Sequence, residues 1–397
     1  MIEISSDVFL KLRRCKKNSF SYGVFKDGRL IAFTDYGFRS VKTKGDEVSG
    51  SVNLGLITEV PDKHTTVKFA PDLSTAMMRC SGIDTEVTVV PGSYSYSADI
   101  VPLTDFVALP DNFANVFKKC CVCKESNDAY DSRPFLRGVG VLDDALIATN
   151  GFFYMHEKMD LSVLVDQFDR AVEAFEASGN SFTSNNKSSK FVIPFVIAKH
   201  IFEYRSFGFA ASKDGSVFYI VFSSGADDKF YFALDSQSRI PKPEIVANKE
   251  YNEFFRLDKL AIRKLRDYLE KIHAKNRIDL ISEDGLLYIS VAKHPSSLLF
   301  KTNIPTSSDS RVYLMADNFA KILPDSDVKI DVSSSILRID AGVDDLRYLA
   351  FASMPVNDEG NIVIPEVDFS TAVPFELGAS FELGEEAVEN ESVLAWF

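Results

Sequence analysis

Cys120 and Cys123 form a Cys-x-x-Cys pair, a spacing that can bind zinc or support thiol–disulfide exchange. A structural zinc site requires four ligands, and neither a second pair of this kind nor a nearby histidine accompanies this one. None of the five histidines pairs with another at ligand spacing. The pattern favours packing of the two thiols on a helix face, so the sequence predicts no metal site and no cofactor.

Paired carboxylates are the other candidates for chemistry, because general acid–base catalysis often uses two of them. Asp143-Asp144 and Asp344-Asp345 lie beside strand-like segments, where solvent-exposed turns explain them better. The chain also has no Gly-x-Ser-x-Gly element and no phosphate-binding glycine loop. We therefore expect a protein that is not an enzyme. A strand-rich hydrolase or metal-dependent nuclease that uses one of these carboxylate pairs is the alternative.

The bulk composition is that of a folded protein with two or three domains. Of 397 residues, 46% are hydrophobic and only 35 are glycine or proline. No apolar stretch approaches the roughly 18 to 20 residues that a membrane span needs, and the beginning of the sequence lacks the order of a signal peptide. The odd number of cysteines makes a poor disulfide framework. We expect a cytoplasmic protein with no membrane partner, located in the host cytoplasm or nucleoid if the source is a virus.

The net charge of −13 is unevenly distributed along the chain. Residues 357–397 contain ten acidic residues and no lysine or arginine, so the first 356 residues carry only −3. A nearly neutral body can still have a strongly basic face, because the electrostatic potential depends on the distribution of charge. The acidic total therefore does not exclude a nucleic-acid partner.

Strands dominate the predicted secondary structure. Runs rich in Val, Ile, Phe and Tyr, such as residues 216–222 and 286–291, follow Asp-Gly pairs at 214–215 and 284–285. Asp27-Gly28 gives the same signal near the start of the chain. Asp-Gly favours the positive backbone angles of tight hairpin turns, so these segments are predicted to form antiparallel meanders.

Six amphipathic helices are predicted between the strands. The clearest spans residues 257–273, whose apolar residues form one stripe and whose lysines and arginines lie largely outside it. The other helices are shorter, and each carries lysine or arginine outside its apolar residues. They cover residues 7–17, 72–80, 112–124, 194–205 and 316–323.

The basic side chains of these helices are candidates for binding a polyanion. One basic helix face is usually only a solvated surface, but six of them in a chain of negative net charge indicate that the acidic residues are concentrated elsewhere. A groove or channel lined by such helices attracts phosphates without reading bases. The predicted DNA-facing residues are Arg13, Arg14, Lys16, Lys17, Arg79, Lys118, Lys119, Lys124, Lys199, Arg205, Lys259, Arg263, Lys264, Arg266 and Lys321.

Four elements in order resemble bacterial-type DNA polymerase sliding clamps, the beta subunit or processivity factor. The family has an Arg-Pro-x-Leu-x-Gly strand followed by an Ala-Thr-Asp-Gly turn, a strand before a helix, a linker with Gly-Arg-Phe-Pro, and a Val-Met-Pro-Met ending. The matching segments are Arg-Pro-Phe-Leu-Arg-Gly at 133–138 with Ala-Thr-Asn-Gly at 148–151, Phe-Val-Ile-Pro at 191–194, Ser-Arg-Ile-Pro at 238–241, and Ala-Ser-Met-Pro-Val at 352–356. The resemblance covers residues 105–356, and residues 1–104 match only in size and in their helix-first, strand-rich pattern.

The resemblance implies an α+β DNA clamp fold: three similar domains with two inner helices each and outer antiparallel sheets. The domains would span residues 1–104, 105–246 and 247–356. Two chains would meet head to tail in a closed homodimeric ring around double-stranded DNA, bound without sequence preference, and would tether a DNA polymerase and a clamp loader. Leu269 and Ile272 match the subunit contact by position, although the core of their own helix explains them equally well.

Family clamps hold polymerases and other clients in a hydrophobic pocket between the second and third domains. Asn150 replaces the usual Asp here and Phe152-Phe153 replaces a His-Arg pair, so we expect a more apolar pocket. This divergence suits a clamp of viral or mobile-element origin, such as a phage. The resemblance assigns the pocket to Leu136, Thr149, Gly151, Phe152, Phe153, Tyr154, Pro241, Ile245, Val246, Ala352, Met354 and Pro355, some of which would only pack the domain junction.

The acidic segment 357–397 is predicted to be a flexible tail. It contains a short repeat, Phe-Glu-Leu-Gly at 375–378 and again at 381–384, and it ends with Leu394, Trp396 and Phe397. This ending resembles the Leu-x-Leu-Phe-like peptides with which clients bind family clamps. The tail could dock in its own or a neighbour's pocket, dock on a separate partner, or have no binding role.

The main functional alternative is an adaptor with the clamp fold that does not encircle DNA. Such a protein would act in transcription or as a clamp inhibitor through the same pocket. Oligomeric state and the dependence of DNA retention on DNA topology distinguish the two possibilities.

Overall fold

The protein is described by a computed structural model. It divides into two compact units, Met1–Asn248 and Lys249–Phe397. The predicted boundary between the first two domains, at residues 104 and 105, falls within the first unit and stays a prediction. The described residues are 2–5, 22–34, 37–53, 66–80, 82–89, 91–92, 99–124, 138–151, 153–182, 189–234, 250–271, 277–293, 296–333, 336–340, 347–351 and 367–377.

The first unit begins with an antiparallel sheet in the order β5-β1-β7-β8-β9. Alternate residues of its strands point to a core, so that Ile2, Ile4, Val67 and Phe69 are almost completely buried. The strands are β1 (Ile2–Ser5), β5 (Lys44–Gly45), β7 (Thr66–Phe69), β8 (Thr75–Cys80) and β9 (Ile83–Thr88).

A second, larger sheet of the first unit runs in the order β10-β6-β2-β3-β4-β19-β18-β17-β11, with β12 also paired to β17. Strands β4 and β19 are antiparallel neighbours, so this sheet joins the beginning of the unit to its end. Its strands are β2 (Tyr22–Lys26), β3 (Arg29–Thr34), β4 (Gly37–Lys42), β6 (Gly50–Asn53), β10 (Pro91–Gly92), β11 (Ile100–Pro102), β12 (Val107–Ala108), β17 (Ser206–Ser212), β18 (Phe218–Gly225) and β19 (Asp228–Ala233).

The Asp-Gly turns predicted at 27–28 and 284–285 are confirmed, whereas at 214–215 only Gly215 has a positive φ, of 70°. Asp27 and Gly28 connect β2 to β3 with φ of 51° and 67°. Asp284 and Gly285 have φ of 52° and 74° and connect two strands of the second unit. Two consecutive positive φ angles are what a tight hairpin turn of the right twist requires.

The first unit also contains antiparallel strands in the order β16-β13-β14-β15 and two α-helices in its described part. Buried phenylalanines of α2 pack on β16, β17 and β18, with Phe168 at the centre of the aromatic cluster. The elements are α1 (Phe113–Cys120), β13 (Gly138–Val141), β14 (Ala145–Thr149), β15 (Phe153–Lys158), α2 (Ser162–Ala177) and β16 (Phe191–Pro194).

Two helix predictions in the first unit are wrong, and one helix was missed. Residues 75–80 form β8, in which buried Ala76 and exposed Met77 alternate and both edges are paired. Residues 194–205 form the 3₁₀ turns Phe195–Lys199 and Ile201–Glu203, separated at His200, whose φ of −123° interrupts a helix. The missed helix is α2. The predicted helix at residues 7–17 lies outside the described residues.

The second unit has two groups of strands, in the orders β27-β26-β25-β20 and β24-β21-β22-β23-β28. The predicted helices at 257–273 and 316–323 are confirmed as α3 (Lys259–Lys271) and α4 (Ala316–Ile322), which pack side by side. The strands are β20 (Asn252–Leu257), β21 (Arg277–Glu283), β22 (Leu286–Lys293), β23 (Ser296–Pro305), β24 (Arg311–Met315), β25 (Val328–Ser333), β26 (Ile336–Asp340), β27 (Arg347–Phe351) and β28 (Val373–Phe375).

The prediction of a flexible tail after residue 356 is wrong for residues 367–377. This stretch contains a 3₁₀ turn, Phe369–Thr371, and strand β28, which pairs in parallel with β23. Val367, Phe369 and Ala372 pack against a cluster formed by Ile281, Tyr288 and Leu299 of the sheet. The segment is held because its apolar side chains cover sheet surface that would otherwise face water.

Candidate functional site

Helix α3 presents a basic face because its apolar residues repeat at helical spacing. Ala261, Ile262, Leu265 and Leu269 are fully buried. The first turn is capped, since the Ala261 N–H donates to Asp258 Oδ1 at 2.7 Å. The remaining side turns outward, so Lys259, Arg263 and Lys264 are exposed. Leu269 is therefore part of its own helix core, and Ile272 lies outside the described residues.

Arg266 differs from the other predicted DNA-facing residues of α3. Its Nη1 lies 2.6 Å from Asp325 Oδ1, and its Nη2 donates to the carbonyls of Leu323 and Pro324 at 2.5 and 3.0 Å. These three contacts attach α3 to the segment that follows α4, and the hydrogen bond from the Arg266 guanidinium lowers the pKa of Asp325. The structure thus gives Arg266 a packing role in addition to its charge.

The neighbouring helix α4 adds Lys321, which is exposed and lies 3.4 Å from Asp317 one turn earlier. The same surface of α3 includes exposed acidic residues, Asp267 and Glu270. The basic character of this face therefore comes mainly from Lys259 and Arg263 at the beginning of α3.

A second group of predicted residues lies on α1 and the turns that follow β16. Lys118 and Lys119 are exposed in the last turn of α1, where a positive charge interacts favourably with the helix dipole. Helix α1 packs beside the turn Phe195–Lys199. The structure places Lys124 and Arg205 at the exposed ends of these elements and Lys199 at the end of a turn.

Exposed aromatic and buried acidic side chains accompany these lysines. The Lys118 ammonium lies 5.5 Å from the ring centroid of Phe202, which is 56% exposed. Lys119 Nζ lies 3.7 Å from Oε1 of the buried Glu157. A cation beside an exposed ring offers both charge and a flat apolar surface to a ligand. Phe202 was not identified from the sequence, where nothing distinguishes it from a core phenylalanine.

Arg79 is not on a helix, which corrects its predicted setting. It lies on β8 opposite Asp84 of β9, with the Nε 3.5 Å from Oδ1. Both side chains are exposed. Arg79 therefore belongs to the first sheet of the unit, between β7 and β9, and not to a helix face. The remaining predicted DNA-facing residues, Arg13, Arg14, Lys16 and Lys17, lie outside the described residues.

Part of the predicted client pocket lies in the turn between β14 and β15. Thr149 Oγ1 donates to the carbonyl of Phe153 at 2.8 Å and accepts the N–H of Gly151 at 3.1 Å. Asn150 Oδ1 accepts the N–H of Phe153 at 3.0 Å. The side chains of Thr149 and Asn150 thus close the turn, with Gly151 at the positive φ of 88° that a glycine tolerates.

The described aromatic residues of this predicted pocket are buried. Phe153 is completely buried and Tyr154 is 2% exposed. Burial raises the pKa of Tyr154, whose neighbours include the thiols of Cys120 and Cys123. These rings therefore contribute to the interior beside α1, and a peptide would reach them only if they moved. The other pocket residues, Leu136, Phe152, Pro241, Ile245, Val246, Ala352, Met354 and Pro355, lie outside the described residues, as do Leu394, Trp396 and Phe397.

The Cys-x-x-Cys pair packs in the interior of the first unit. Cys120 and Cys123 are both fully buried and neither forms a disulfide. Burial raises the pKa of Cys120 well above its usual value, so the thiol stays protonated. Among the described residues, no group of three or more His, Cys, Asp or Glu side chains could hold a metal ion. The described part of the chain also has no helix long and apolar enough to span a membrane.

Comparisons with known proteins find matches to the structure of this chain but none to its sequence. No protein-family model matches the chain, and no curated protein matches it in sequence. Solved structures match over 89–90% of this chain and 99–100% of theirs. They include the DNA polymerase sliding clamp of Caulobacter crescentus (12% identity, TM-score 0.59), the DNA polymerase III beta subunit of Thermotoga maritima (10%, 0.61) and that of Pseudomonas aeruginosa (12%, 0.59).

The chain has the DNA clamp fold. The predicted mixed architecture of antiparallel sheets with few helices is confirmed by this likeness. At 10–14% identity the clamp fold is what the comparison establishes. Another matching structure is that of the Pseudomonas aeruginosa sliding clamp bound to griselimycin.

Proposed function

We propose that this chain is a sliding clamp that encircles duplex DNA as a homodimeric ring and tethers a DNA polymerase, other clients and a clamp loader. The supporting observation is that the clamp fold covers 89% of the chain and nearly the full length of each clamp it resembles. Proteins with these structures are named as DNA polymerase III beta subunits and sliding clamps. In this role the protein binds partners and catalyses no reaction.

The distribution of charge supports a DNA-binding role despite a net charge of −13. Exposed cations occur on α1 and on α3, including Lys118, Lys119, Lys259 and Arg263. Cations on helices contact phosphates through charge alone, which allows binding without sequence preference and movement along the duplex. Acidic residues that lie farther from these cations than a Debye length are screened by salt and do not cancel the local potential.

The polymerase and other clients would bind through the pocket proposed from the sequence. Its residues between β14 and β15 form a closed turn with buried aromatic side chains. By the resemblance, the rest of this pocket would be formed by Pro241, Ile245, Val246, Ala352, Met354 and Pro355. The chain's ending, with Leu394, Trp396 and Phe397, would compete for the same pocket. Deleting residues 392–397 should then raise the affinity for a client peptide, and unchanged affinity would exclude this competition.

DNA topology provides the decisive test. The full chain, assembled on nicked circular duplex by a clamp loader, should remain bound during gel filtration in 0.5 M salt and should dissociate when the circle is linearised. A closed ring around DNA can leave only over an end, whereas a surface-bound protein dissociates equally from circular and linear DNA. The dependence on ends therefore separates encircling from surface binding. Sedimentation analysis should give a dimer.

Two outcomes would reject the proposal. A monomer with equal retention on circular and linear DNA would favour the adaptor that acts in transcription or as a clamp inhibitor. Metal-dependent cleavage of DNA by the pure protein, abolished by Asp143→Asn with Asp144→Asn, would favour a nuclease.

A further inference from the structure

Residues 373–377 occupy a groove on the second unit in a defined way. Phe375 packs against two aromatic rings, with its centroid 5.2 Å from that of Tyr268 on α3 and 5.6 Å from that of Phe300 on β23. The backbone N–H of Leu377, which is completely buried, donates to Asn303 Oδ1 at 2.9 Å. We name this site, formed by Tyr268, Phe300 and Asn303, the Phe-x-Leu groove.

The groove recognises an extended peptide by backbone and by alternate side chains. Val373, Pro374 and Phe375 lie opposite Phe300, Lys301 and Thr302 in a parallel register, as in strand addition to a sheet edge. Phe375 and Leu377 point inward, whereas Val373, Pro374 and Glu376 are exposed. Phenylalanine and leucine two positions apart are therefore the residues that contact the groove.

The sequence contains this motif twice. Phe-Glu-Leu-Gly occurs at 375–378 and again at 381–384, so a shift of six residues places Phe381 and Leu383 where Phe375 and Leu377 lie. Pro374, which has no N–H to donate, would be replaced by Ser380, and the exposed Val373 by Ala379. The second copy thus has both inward-facing residues and a backbone at least as well suited to strand pairing.

We propose that the Phe-x-Leu groove is a peptide-binding site with two competing ligands in the same chain, residues 375–377 and residues 381–383. The exchange requires only that residues 373–378 leave the groove as a loop of six residues. Val367, Phe369 and Ala372 can keep their contacts with the sheet during this shift. The entropy cost of closing a loop grows only slowly with its length, and the tether keeps the second copy at high effective concentration beside the groove.

Charge is compatible with either register. Lys264 Nζ donates to the carbonyl of Glu376 at 3.4 Å, and the exposed Lys301 lies opposite Pro374. In the shifted register Glu382 would take the position of Glu376 beside Lys264. The proposal is independent of whether the chain encircles DNA, because it concerns only residues of the second unit.

The test compares four full-length proteins by hydrogen exchange of the amides at residues 300–302 of β23. They are the natural chain, Phe375→Ala with Leu377→Ala, Phe381→Ala with Leu383→Ala, and the variant with all four substitutions. If either copy fills the groove, each double variant should raise the exchange rate by less than about tenfold, because the other copy remains. The variant with all four substitutions should raise the exchange rate by more than about a hundredfold.

The matched control replaces the exposed middle residues, Glu376→Gln with Glu382→Gln, and should leave the exchange rate unchanged. If Phe375→Ala with Leu377→Ala alone exchanges as fast as the variant with all four substitutions, the second copy does not occupy the groove and the proposal fails. If the β23 amides of that double variant exchange slowly only at high protein concentration, the peptide comes from another chain. This result would overturn the intramolecular assignment.

Discussion

Arg39 donates to both carboxylate oxygens of Asp228, from Nε to Oδ1 at 2.8 Å and from Nη2 to Oδ2 at 2.6 Å. The arginine is completely buried on β4, and the aspartate begins the adjacent strand β19. Nη2 also donates to Glu203 at 2.9 Å. A buried cation satisfied by two carboxylates fixes the position where the beginning and the end of the first unit share one sheet.

Replacing Arg39 should destabilise the first unit strongly. Arg39→Met leaves two carboxylates in a buried setting without their shared cation, so the free energy of unfolding should fall by about 3–5 kcal/mol. Lys42→Met is the matched control on the same strand, since Lys42 Nζ lies 3.9 Å from the exposed Asp227 and should contribute less than about 0.5 kcal/mol. Urea unfolding followed by circular dichroism measures both, and equal losses would contradict this account.

Glu203 should make the stability sensitive to acid. Burial acts to raise its pKa, but hydrogen bonds from His200 and Arg39 outweigh it and lower the pKa to about 2, from 4.5. A depressed pKa gives stability that is present above pH 4.5 and is lost as the pH falls toward 2. Glu203→Gln should therefore cost on the order of 1–2 kcal/mol at pH 7, after discounting for solvent screening.

The check on Glu203 is the pH dependence of the difference between the two proteins. The free energies of unfolding of the natural chain and Glu203→Gln should converge as the pH falls from 4.5 to about 2, because the carboxylate protonates first in the unfolded chain and then in the folded one. A difference that stays constant over this range would show that the carboxylate's charge is not the stabilising feature.

The sequence predicts those elements whose signals are local. Helix α3 could be found because its buried apolar residues repeat every three or four residues, and the Asp-Gly hairpins because two adjacent residues determine the turn. Residues 75–80 were misjudged because pairing with two neighbouring strands, not local propensity, decides the structure of a short segment. The ion pair of Arg39 and Asp228 joins residues 189 positions apart, and no local pattern announces it.

The candidate site shows the same difference between features set by local sequence and features set by distant residues. The exposure of Lys259 and Arg263 follows from the apolar stripe of α3, so it could be predicted. The packing role of Arg266 could not, because its partners lie 57 to 59 residues away. Residues 367–377 were predicted to be flexible because acidic residues dominate the segment, whereas a few well-placed apolar side chains decide its docking.

Helix α2 was missed in the sequence, and its core residue Phe168 provides a test of how the helix packs. Phe168 is 4% exposed and lies within 6.1 Å of the rings of Phe182, Phe191, Phe209 and Phe218. Phe168→Ala should lower the free energy of unfolding by about 3–5 kcal/mol. Val163→Ala, at a position 49% exposed on the same helix, should change it by less than about 0.5 kcal/mol. Similar losses for both variants in urea unfolding would exclude a core role for α2.

The thiols of Cys120, which is buried, and Cys121, which is partly buried, should be unreactive in the folded chain. Burial raises the pKa of Cys120 well above its usual value and that of Cys121 to about 12, and only the thiolate reacts with an alkylating agent. Iodoacetamide at pH 8 should modify these residues at least about a hundredfold more slowly than after unfolding in urea. Site-resolved mass spectrometry provides the rates, and rapid modification of Cys120 in the folded chain would contradict burial.

Helix α3 allows the contribution of charge to DNA binding to be separated from its contribution to folding. Lys259→Gln with Arg263→Gln removes two exposed cations, so affinity for duplex DNA should fall about tenfold and the slope of log affinity against log salt should decrease by about one per lost phosphate contact. Stability should not change. Lys213→Gln, an exposed cation on the turn between β17 and β18, is the control and should leave the slope unchanged.

Arg266→Ala should give the opposite result. It removes the contacts with residues 323–325, so the free energy of unfolding should fall by about 1–3 kcal/mol. The salt slope should stay close to that of the natural chain, because the charge of Arg266 is already paired with Asp325. Unchanged DNA affinity of the Lys259 and Arg263 variant, measured by fluorescence anisotropy from 50 to 200 mM salt, would remove α3 from the DNA-binding surface. A lowered salt slope for Arg266→Ala would instead show that its guanidinium reaches phosphate despite the ion pair.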